Sequence, residues 1–334
     1  MLATTGSVAG RERRRRSATQ LRAALLLAAV TLAAPAFGGT WALRSEMLEP
    51  NSEFAVAEAN GQLFILGGYP ASRTTVTTVQ IYDIAADTWR LGPSLPAPNN
   101  HGMAAAVDGR VFAIGGQSSA SGDGTYVDTV YELDLDEETW VQKAPMPTAR
   151  SAGVAVVLDG LIYVAGGRPP RGSDFAVYDP ATGGWTVLLD MPTQRNHIAG
   201  AAIGGKIYIA GGRHGGGFTS DATNALEIYD PALGTWTEAA PMPRRRSGVN
   251  GVAANGCFHV WGGEGQIGMF PDHTVYDPRS DSWQQLADMP IPVHGVTGSA
   301  FLDGLIYVPG GGTSVGGSSG STLNQVYRPE EVCE

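Results

Sequence analysis

A pair of glycines that follows a tryptophan at a nearly constant distance occurs six times along the chain. The offset from the tryptophan to the first glycine is 26 residues in five copies and 27 in the last. The glycine pairs are Gly67-Gly68, Gly115-Gly116, Gly166-Gly167, Gly211-Gly212, Gly262-Gly263 and Gly310-Gly311. The tryptophans are Trp41, Trp89, Trp140, Trp185, Trp236 and Trp283. This period predicts an array of small units, because one unit of about 48 residues cannot bury its own apolar face.

Each repeat contains the same succession of strand signals. A small, apolar strand leads to a two-residue turn such as Asn60-Gly61 or Asp159-Gly160, whose residues favour the positive φ values of a tight hairpin. A second strand runs into the glycine pair, a third ends at Tyr-Asp in four copies, and the fourth carries the tryptophan. Six such units of four antiparallel strands predict an all-β, six-bladed β-propeller.

The Gly-Gly, Tyr and Trp pattern resembles the Kelch-repeat family, and the resemblance extends from Trp41 to Tyr327. It implies the propeller fold, which serves enzymes and binding modules alike. The last repeat has its glycine pair and Tyr327, but no tryptophan follows. We therefore expect the strand around Trp41 to complete the sixth blade, so that the ring closes without a free sheet edge.

The first residues are typical of an export signal. A basic run from Arg13 to Arg16 precedes an uncharged apolar stretch from Ala23 to Phe37, which is short for a membrane span, and small residues follow. We predict a removed signal peptide over residues 1–36 and a propeller domain over 37–334. The protein is then periplasmic or extracellular. An uncleaved membrane anchor is the alternative.

The charge of the chain excludes one class of partner. Six arginines and one glutamate leave with residues 1–36, which changes the formal net charge from −10 to −15. Generic nucleic-acid binding requires a basic surface, so we expect no nucleic-acid partner. No other segment is apolar enough to span a membrane. Cys257 and Cys333 are the two cysteines, and we expect free thiols, although an oxidising compartment would allow them to pair.

Variation in the repeat length is confined to the loops after the glycine pairs, where the distance to the next tryptophan ranges from 18 to 24 residues. Repeat proteins often bind ligands at the face where such insertions gather. Two sets of positions are expected near the axis on this face. The first set, ten residues before each hairpin glycine, is Asn51, Asn99, Arg150, Arg195, Arg246 and His294. The second, directly after each glycine pair, is Tyr69, Gln117, Arg168, Arg213, Glu264 and Gly312.

Five arginines in these sets come from three consecutive blades, and the local charge balance is expected to be about +4. In Kelch domains that bind peptides, the pocket lining resembles these two sets. We therefore predict a binding module for an anionic peptide, protein or acidic glycan. Its predicted ligand-binding residues are Arg150, Arg168, Arg195, Arg213, Arg246, Asn99, Gln117 and Tyr69. Arginine suits planar recognition of carboxylate or phosphate, but these arginines can also be structural and cap main-chain carbonyls.

Catalysis is the second hypothesis. Exported six-bladed Kelch proteins include sialic-acid mutarotases, and that resemblance implies a mutarotase or epimerase of an acidic sugar such as N-acetylneuraminate. Its candidate acid and base are Glu264 and His294, with Arg246 for the substrate carboxylate. His101 and His197 occupy equivalent positions in blades two and four and are not expected to form a close pair. The sequence contains no metal-ligand spacing, so we expect neither a metal nor a cofactor. A structural envelope protein without a pocket is the third hypothesis.

Overall fold

A computed structural model describes residues 38–70, 73–120 and 125–333. Among these residues the fold is all-β, and the six predicted blades of four antiparallel strands are confirmed. None of the described residues form a helix long and apolar enough to cross a membrane. The predicted signal peptide, residues 1–36, lies outside the described residues.

The blades follow one another along the chain. Blade 1 contains β2 (Phe54–Ala59), β3 (Gln62–Leu66), β4 (Val79–Asp83) and β5 (Thr88–Leu91). Blade 2 contains β6 (Met103–Val107), β7 (Arg110–Ile114), β8 (Val130–Asp134) and β9 (Thr139–Lys143). Blade 3 contains β10 (Val154–Leu158), β11 (Leu161–Ala165), β12 (Phe175–Asp179) and β13 (Gly184–Val187).

The second half of the ring repeats this order. Blade 4 contains β14 (Ala199–Ile203), β15 (Lys206–Ala210), β16 (Leu226–Asp230) and β17 (Thr235–Ala239). Blade 5 contains β18 (Asn250–Ala254), β19 (Cys257–Trp261), β22 (His273–Asp277) and β23 (Ser282–Gln285), with a short hairpin of β20 (Glu264–Gly265) and β21 (Gly268–Met269). Blade 6 contains β25 (Ala300–Leu302), β26 (Leu305–Pro309), β27 (Asn324–Arg328) and β1 (Thr40–Leu43). A two-residue strand, β24 (Val296–Thr297), pairs in parallel with β2.

The predicted closure of the ring is confirmed. β1 pairs antiparallel with β27, and Trp41 lies opposite Tyr327 in the register. The first described strand of the chain is therefore the outer strand of the last blade, so the ring is closed by main-chain hydrogen bonds between its two ends.

The six in-phase tryptophans connect neighbouring blades. Each indole N–H donates a hydrogen bond to a main-chain carbonyl of the preceding blade, over 2.7 to 3.0 Å. In blade 3, for example, Trp185 donates to the carbonyl of Ala144 at 3.0 Å. In five blades the indole packs beside the tyrosine of the adjacent strand, as Trp185 does beside Tyr178, and in blade 2 the residue opposite the tryptophan is Leu133. The tryptophan thus has the same two roles in each repeat, packing and a hydrogen bond to the preceding blade. These shared roles explain the fixed spacing.

The expectation of free cysteines is wrong. Cys257 on β19 and Cys333 in the C-terminal tail form a disulfide, with Cα atoms 5.1 Å apart. The tail after β27 returns to blade 5, where the N–H of Cys333 donates to the carbonyl of Asn255 at 2.9 Å. The path of the tail is not part of the repeat, so the repeat gave no reason to bring these two residues together.

Candidate functional site

Three of the predicted ligand-binding arginines are buried inside their own blades. Arg150, Arg195 and Arg246 are each at most 1% exposed. Arg150 donates to the carbonyls of Val164 and Asp174 at 3.1 and 2.9 Å. Their guanidinium groups therefore cap main-chain carbonyls near the ends of inner strands, which is the structural alternative that the sequence had left open.

Capping of main-chain carbonyls is shared by the equivalent residues of the neighbouring blades. Arg246 donates to Gly262 O at 2.7 Å, and Asn99 donates to Gly115 O at 2.7 Å. Arg195 also forms an ion pair of 3.0 Å with the buried Glu227. Burial lowers the pKa of Arg246 to about 10, yet the group stays charged near neutral pH. We leave Arg150, Arg195, Arg246 and Asn99 out of the proposed binding surface.

His294 does not belong to this set, so the sequence-based alignment of blade 6 is wrong by one residue. The N–H of Gly212, the second glycine of its pair, donates to the carbonyl of Arg246. The N–H of the equivalent Gly263 donates to the carbonyl of Val293. The equivalent of Arg246 is therefore Val293. The extra residue between Trp283 and its glycine pair lies after this point, and counting back from the hairpin shifted the register.

Six residues with a left-handed backbone conformation form a ring between the capping positions and the innermost strand of each blade. Each residue comes two places after a capping residue, or in blade 6 after the equivalent Val293, and has φ between 49° and 68°. The six members are Glu53, His101, Ala152, His197, Gly248 and Gly295. His101 N donates to Glu53 O at 2.7 Å, Ala152 N to His101 O at 2.8 Å, and His197 N to Ala152 O at 2.8 Å. These bonds run from blade to blade around the axis and fix the positions of the side chains that face it.

This ring brings together three polar side chains that the sequence did not connect. The imidazoles of His101 and His197 lie 5.1 Å apart between centroids, so the expectation that they do not form a close pair is wrong. Glu53 Oε2 lies 3.0 Å from His101 Nε2. Sequence reasoning missed Glu53 because it falls between the two chosen sets of positions. A count of the residue two places after each capping position would have found it.

Arg168 and Arg213 lie directly above these histidines. Arg213 Nη2 is 2.8 Å from His197 Nε2, and its Nη1 forms an ion pair of 2.7 Å with Glu264 Oε1. Arg168 Nη2 is 2.9 Å from His101 Nε2. The structure thus brings together Arg168, Arg213 and Glu264 as predicted from their place after the glycine pairs. Two arginines and two carboxylates balance one another formally, so the expected local excess of about +4 is not found here.

The other predicted site residues differ in their access to this cluster. Tyr69 lies beside His101, with ring centroids 5.7 Å apart, and burial followed by the charge of Glu53 raises its pKa to about 12. Gln117 is buried, donates to Ser119 O at 2.7 Å and accepts from Ser151 Oγ at 2.9 Å. Tyr69 therefore faces the cluster, whereas the amide of Gln117 is used within the loops.

The candidate acid and base, Glu264 and His294, are both engaged. Glu264 Oε2 accepts a hydrogen bond from Gly316 N at 2.7 Å, in addition to the ion pair of its other oxygen with Arg213. His294 Nε2 lies 2.8 Å from Ser314 O and 3.7 Å from Glu264 Oε2. Both side chains are about 1% exposed. They support the loop above them and have little access to solvent.

Burial and charge set the protonation states in the cluster. Burial alone would raise the pKa of Glu53, but His101, His294 and Arg213 keep it well below its usual range. Burial and the charge of Arg213 lower the pKa of His197 well below its ordinary value. Burial also lowers the pKa of His101, although Glu53 opposes that change. At neutral pH the carboxylate is therefore charged and His197 is neutral.

A cavity of about 130 Å³ opens above the cluster on the variable-loop face. Its lining includes Glu53, Tyr69, Arg73, Arg168, Arg213 and Phe218. Two glycine-rich loops, residues 214–220 and 312–320, form its upper wall. Arg168 Nη1 donates to Gly216 O at 2.5 Å. A Cβ added at Gly317 would lie 3.0 Å from the ring of Tyr69, so a larger residue there requires a small shift of this ring.

Comparison with known proteins places the repeats in one family. Residues 42–191 match the model described as KLHDC2/KLHL20/DRC7 Kelch-repeats domain, and residues 194–243 match the Kelch motif. Kelch-like protein 36 of Bos taurus is 31% identical over 151 residues, which is 43% of this chain and 24% of that protein. Beta-scruin of Limulus polyphemus is 26% identical over 146 residues, which is 40% of this chain and 15% of that protein.

The matched regions thus span a quarter or less of these two relatives. A solved structure, titled "Structure of YjhT", matches with a TM-score of 0.71 at 18% identity, and covers 85% of this chain and 97% of that chain. At this level of identity the likeness concerns the fold alone.

Proposed function

This chain belongs to the Kelch-repeat family, whose propellers are typically protein-binding modules, and from this premise we propose that it binds the anionic group of a partner in the axial cavity. The partner is a peptide, a protein or an acidic glycan. Its carboxylate enters the cavity between the glycine-rich loops, and the rest of the partner contacts the loops around it.

The proposal rests on the guanidinium of Arg168, which lines the cavity. No salt bridge to a carboxylate is found for it among the described residues, in contrast to Arg213, which pairs with Glu264. Its Nε is buried and has no hydrogen-bond partner. One of its remaining contacts is the carbonyl of Gly216, which a ligand oxygen can replace. A half-buried guanidinium in the cavity wall that has no carboxylate partner in the described part of the chain suits a ligand carboxylate, because charge-assisted hydrogen bonds are the strong ones.

The cavity size supports a group at the end of a larger partner. Pockets that enclose whole small molecules usually measure about 300–1,000 Å³, whereas this one measures about 130 Å³. A carboxylate with its neighbouring carbon atoms fits such a volume, but a complete sugar acid does not fit without movement of the loops. The exposed Arg73 at the edge of the cavity supplies a further positive charge to an acidic partner.

The test uses N-acetylneuraminate and a glutamate-rich peptide as probes in titration calorimetry with the wild-type chain and two variants. Arg168→Gln should weaken binding of the accepted probe about tenfold or more, since one charged hydrogen bond contributes about 1.5–3 kcal/mol. Arg171→Gln is the matched control, because Arg171 lies in the same loop but is exposed and pairs with Asp174. Failure of both probes to bind, or equal affinity in Arg168→Gln, would contradict the proposal.

Catalysis is a second candidate, favoured by the close pair of Glu53 and His101 in the cavity wall. A carboxylate and an imidazole at 3.0 Å form the kind of pair that moves a proton during anomer interconversion of an acidic sugar. Proton NMR of N-acetylneuraminate, started from one anomer, reports binding and interconversion in the same spectrum. Acceleration that disappears in Glu53→Gln would establish an enzyme, and unchanged interconversion would exclude this activity.

We also propose that the protein is exported, as the composition of residues 1–36 predicts. The disulfide between Cys257 and Cys333 supports this location, because stable disulfides form in the periplasm and outside cells. Fractionation of cells that express the chain with and without residues 1–36 tests the proposal. We expect export and oxidised cysteines only for the longer form. A cytoplasmic location of the longer form would contradict it.

A further inference from the structure

We propose that Glu53, His101 and His197 form a binding site for a divalent transition-metal ion of the Zn²⁺ class on the axis of the propeller. One carboxylate oxygen and one nitrogen of each imidazole lie within 4.8 Å of one another. All three side chains are buried, and each comes from a different blade. This proposal is independent of the proposed anion binding, although the site lies at the base of the same cavity.

The two imidazoles are oriented as metal-ligating histidines usually are. Nδ1 of His101 lies 2.5 Å from Oδ1 of Asn100, and Nδ1 of His197 lies 2.5 Å from Oδ1 of Asn196. The amide nitrogens of these asparagines donate to main-chain carbonyls, which identifies the oxygens that face the rings. Nδ1 therefore carries the hydrogen, and the lone pair of Nε2 points towards the axis. An outer partner that fixes the tautomer is a regular feature of metal sites.

The main chain fixes the spacing of the ligands. His101 N donates to Glu53 O at 2.7 Å, and His197 N donates to Ala152 O at 2.8 Å, so all three residues lie on the hydrogen-bonded ring around the axis. Two ligands of a tetrahedral ion with bonds of about 2.0–2.1 Å are about 3.3 Å apart. Glu53 Oε2 and His101 Nε2 are 3.0 Å apart. The three ligand atoms lie within 4.8 Å of one another, so a movement of His197 by up to about 1.5 Å would bring the third ligand to this distance.

Two arginines compete with an ion for the imidazole lone pairs. Arg168 and Arg213 lie 2.9 and 2.8 Å from Nε2 of His101 and His197, respectively. Each has another acceptor to which it stays bound when the ion enters. For Arg213 this is Glu264 Oε1 at 2.7 Å, and for Arg168 it is Gly216 O. Besides the movement of His197, metal binding therefore requires that each guanidinium turn away from its histidine.

The donor set selects the class of ion. Two imidazole nitrogens and one carboxylate oxygen suit Zn²⁺, Co²⁺ or Fe²⁺, whereas Ca²⁺ and Mg²⁺ require mostly oxygen ligands. Three protein ligands leave a fourth position open towards the cavity, as in catalytic zinc sites. That position can take water or an oxygen of a ligand.

The test is titration of ZnCl₂ into the full chain, purified without a polyhistidine tag. We expect binding of one equivalent, loss of this binding in His197→Gln, and a decrease in affinity of roughly 10- to 100-fold in Asn196→Ala. His214→Gln is the matched control, because His214 is an exposed histidine on the same face. Absence of saturable binding, or equal binding in wild type and His197→Gln, would overturn the proposal.

A second variant keeps the test decisive if the histidine variants do not fold. Arg168→Gln replaces a half-buried side chain and removes one of the two competing cations, so its affinity for Zn²⁺ should rise. The same substitution is expected to weaken carboxylate binding, which separates the two proposals. Equal or weaker Zn²⁺ binding in Arg168→Gln would contradict the competition on which the site depends.

Discussion

Replacement of His259 by leucine should make the protein less sensitive to acid. His259 on β19 and His273 on β22 are fully buried, and His259 Nδ1 lies 3.1 Å from His273 Nε2. His273 packs against Tyr327 of β27, with ring centroids 4.4 Å apart, and against Trp41 of β1. The pair thus lies where blade 5 meets the two strands that close the ring.

The sign and size of the effect follow from the pKa values. Burial lowers the pKa of His259 from 6.5 to about 3. Burial, followed by His259 and Arg246, lowers the pKa of His273 well below the same ordinary value. Below pH 6.5 the unfolded chain therefore takes up protons that the folded protein does not, and stability falls. Each histidine contributes a loss of about 2 kcal/mol between neutral pH and pH 5, at 1.36 kcal/mol per pH unit.

Urea unfolding at pH 8 and pH 5, followed by tryptophan fluorescence, measures this loss. The decrease in unfolding free energy should be about 2 kcal/mol smaller in His259→Leu than in wild type, because the proton that His259 takes up on unfolding is gone. His214→Gln, in which an exposed histidine is removed, should keep the wild-type pH dependence. If His259→Leu and wild type lose the same free energy, burial of the imidazole is not what makes the protein sensitive to acid.

Three further predictions concern stability and are measured by unfolding. Arg195→Met should lower the free energy of unfolding by about 3–5 kcal/mol, because Glu227 is left buried without its ion pair; a change below 1 kcal/mol would contradict the structural role of Arg195. Deletion of residues 37–48 should lower the thermal midpoint and promote self-association, because β27 becomes a free edge; an unchanged midpoint would refute closure by β1. Serine at both Cys257 and Cys333 should lower stability by about 4 kcal/mol for a loop of this length, and reduction that leaves the urea midpoint of the wild type unchanged would contradict this.

The fold was predictable because each repeat contains its own strand, turn and packing signals. The hairpin residues Asn60 and Gly61 have the positive φ values that the turn requires, 54° and 77°. The tryptophan spacing located the blades, and the missing tryptophan after Tyr327 located the closure. These are local rules that repeat six times, so an error in one copy does not change the result.

The centre of the site was less predictable because it depends on contacts between blades. His101 and His197 are 96 residues apart in the chain, and their proximity follows from the small radius of the ring at the axis rather than from any local pattern. Glu53 reaches the same point through a left-handed φ of 55°, an unusual conformation for glutamate. The disulfide has the same origin, since it joins β19 of blade 5 to the tail that follows β27 of blade 6.

Equivalent positions that carry the same residue type in most blades build the fold, whereas equivalent positions that differ between blades form the site. The capping positions carry asparagine or arginine in five blades, and all of these side chains donate to main-chain carbonyls of their own blade. The positions after the glycine pairs carry a different side chain in almost every blade, and four of them, Tyr69, Arg168, Arg213 and Glu264, line the cavity. A role in the fold is the same in each blade and favours the same residue types, whereas a ligand on the axis contacts each blade differently. Among in-phase positions of a propeller, those that vary most in chemistry are therefore the better candidates for binding, and the uniform set of arginines is the better candidate for structure.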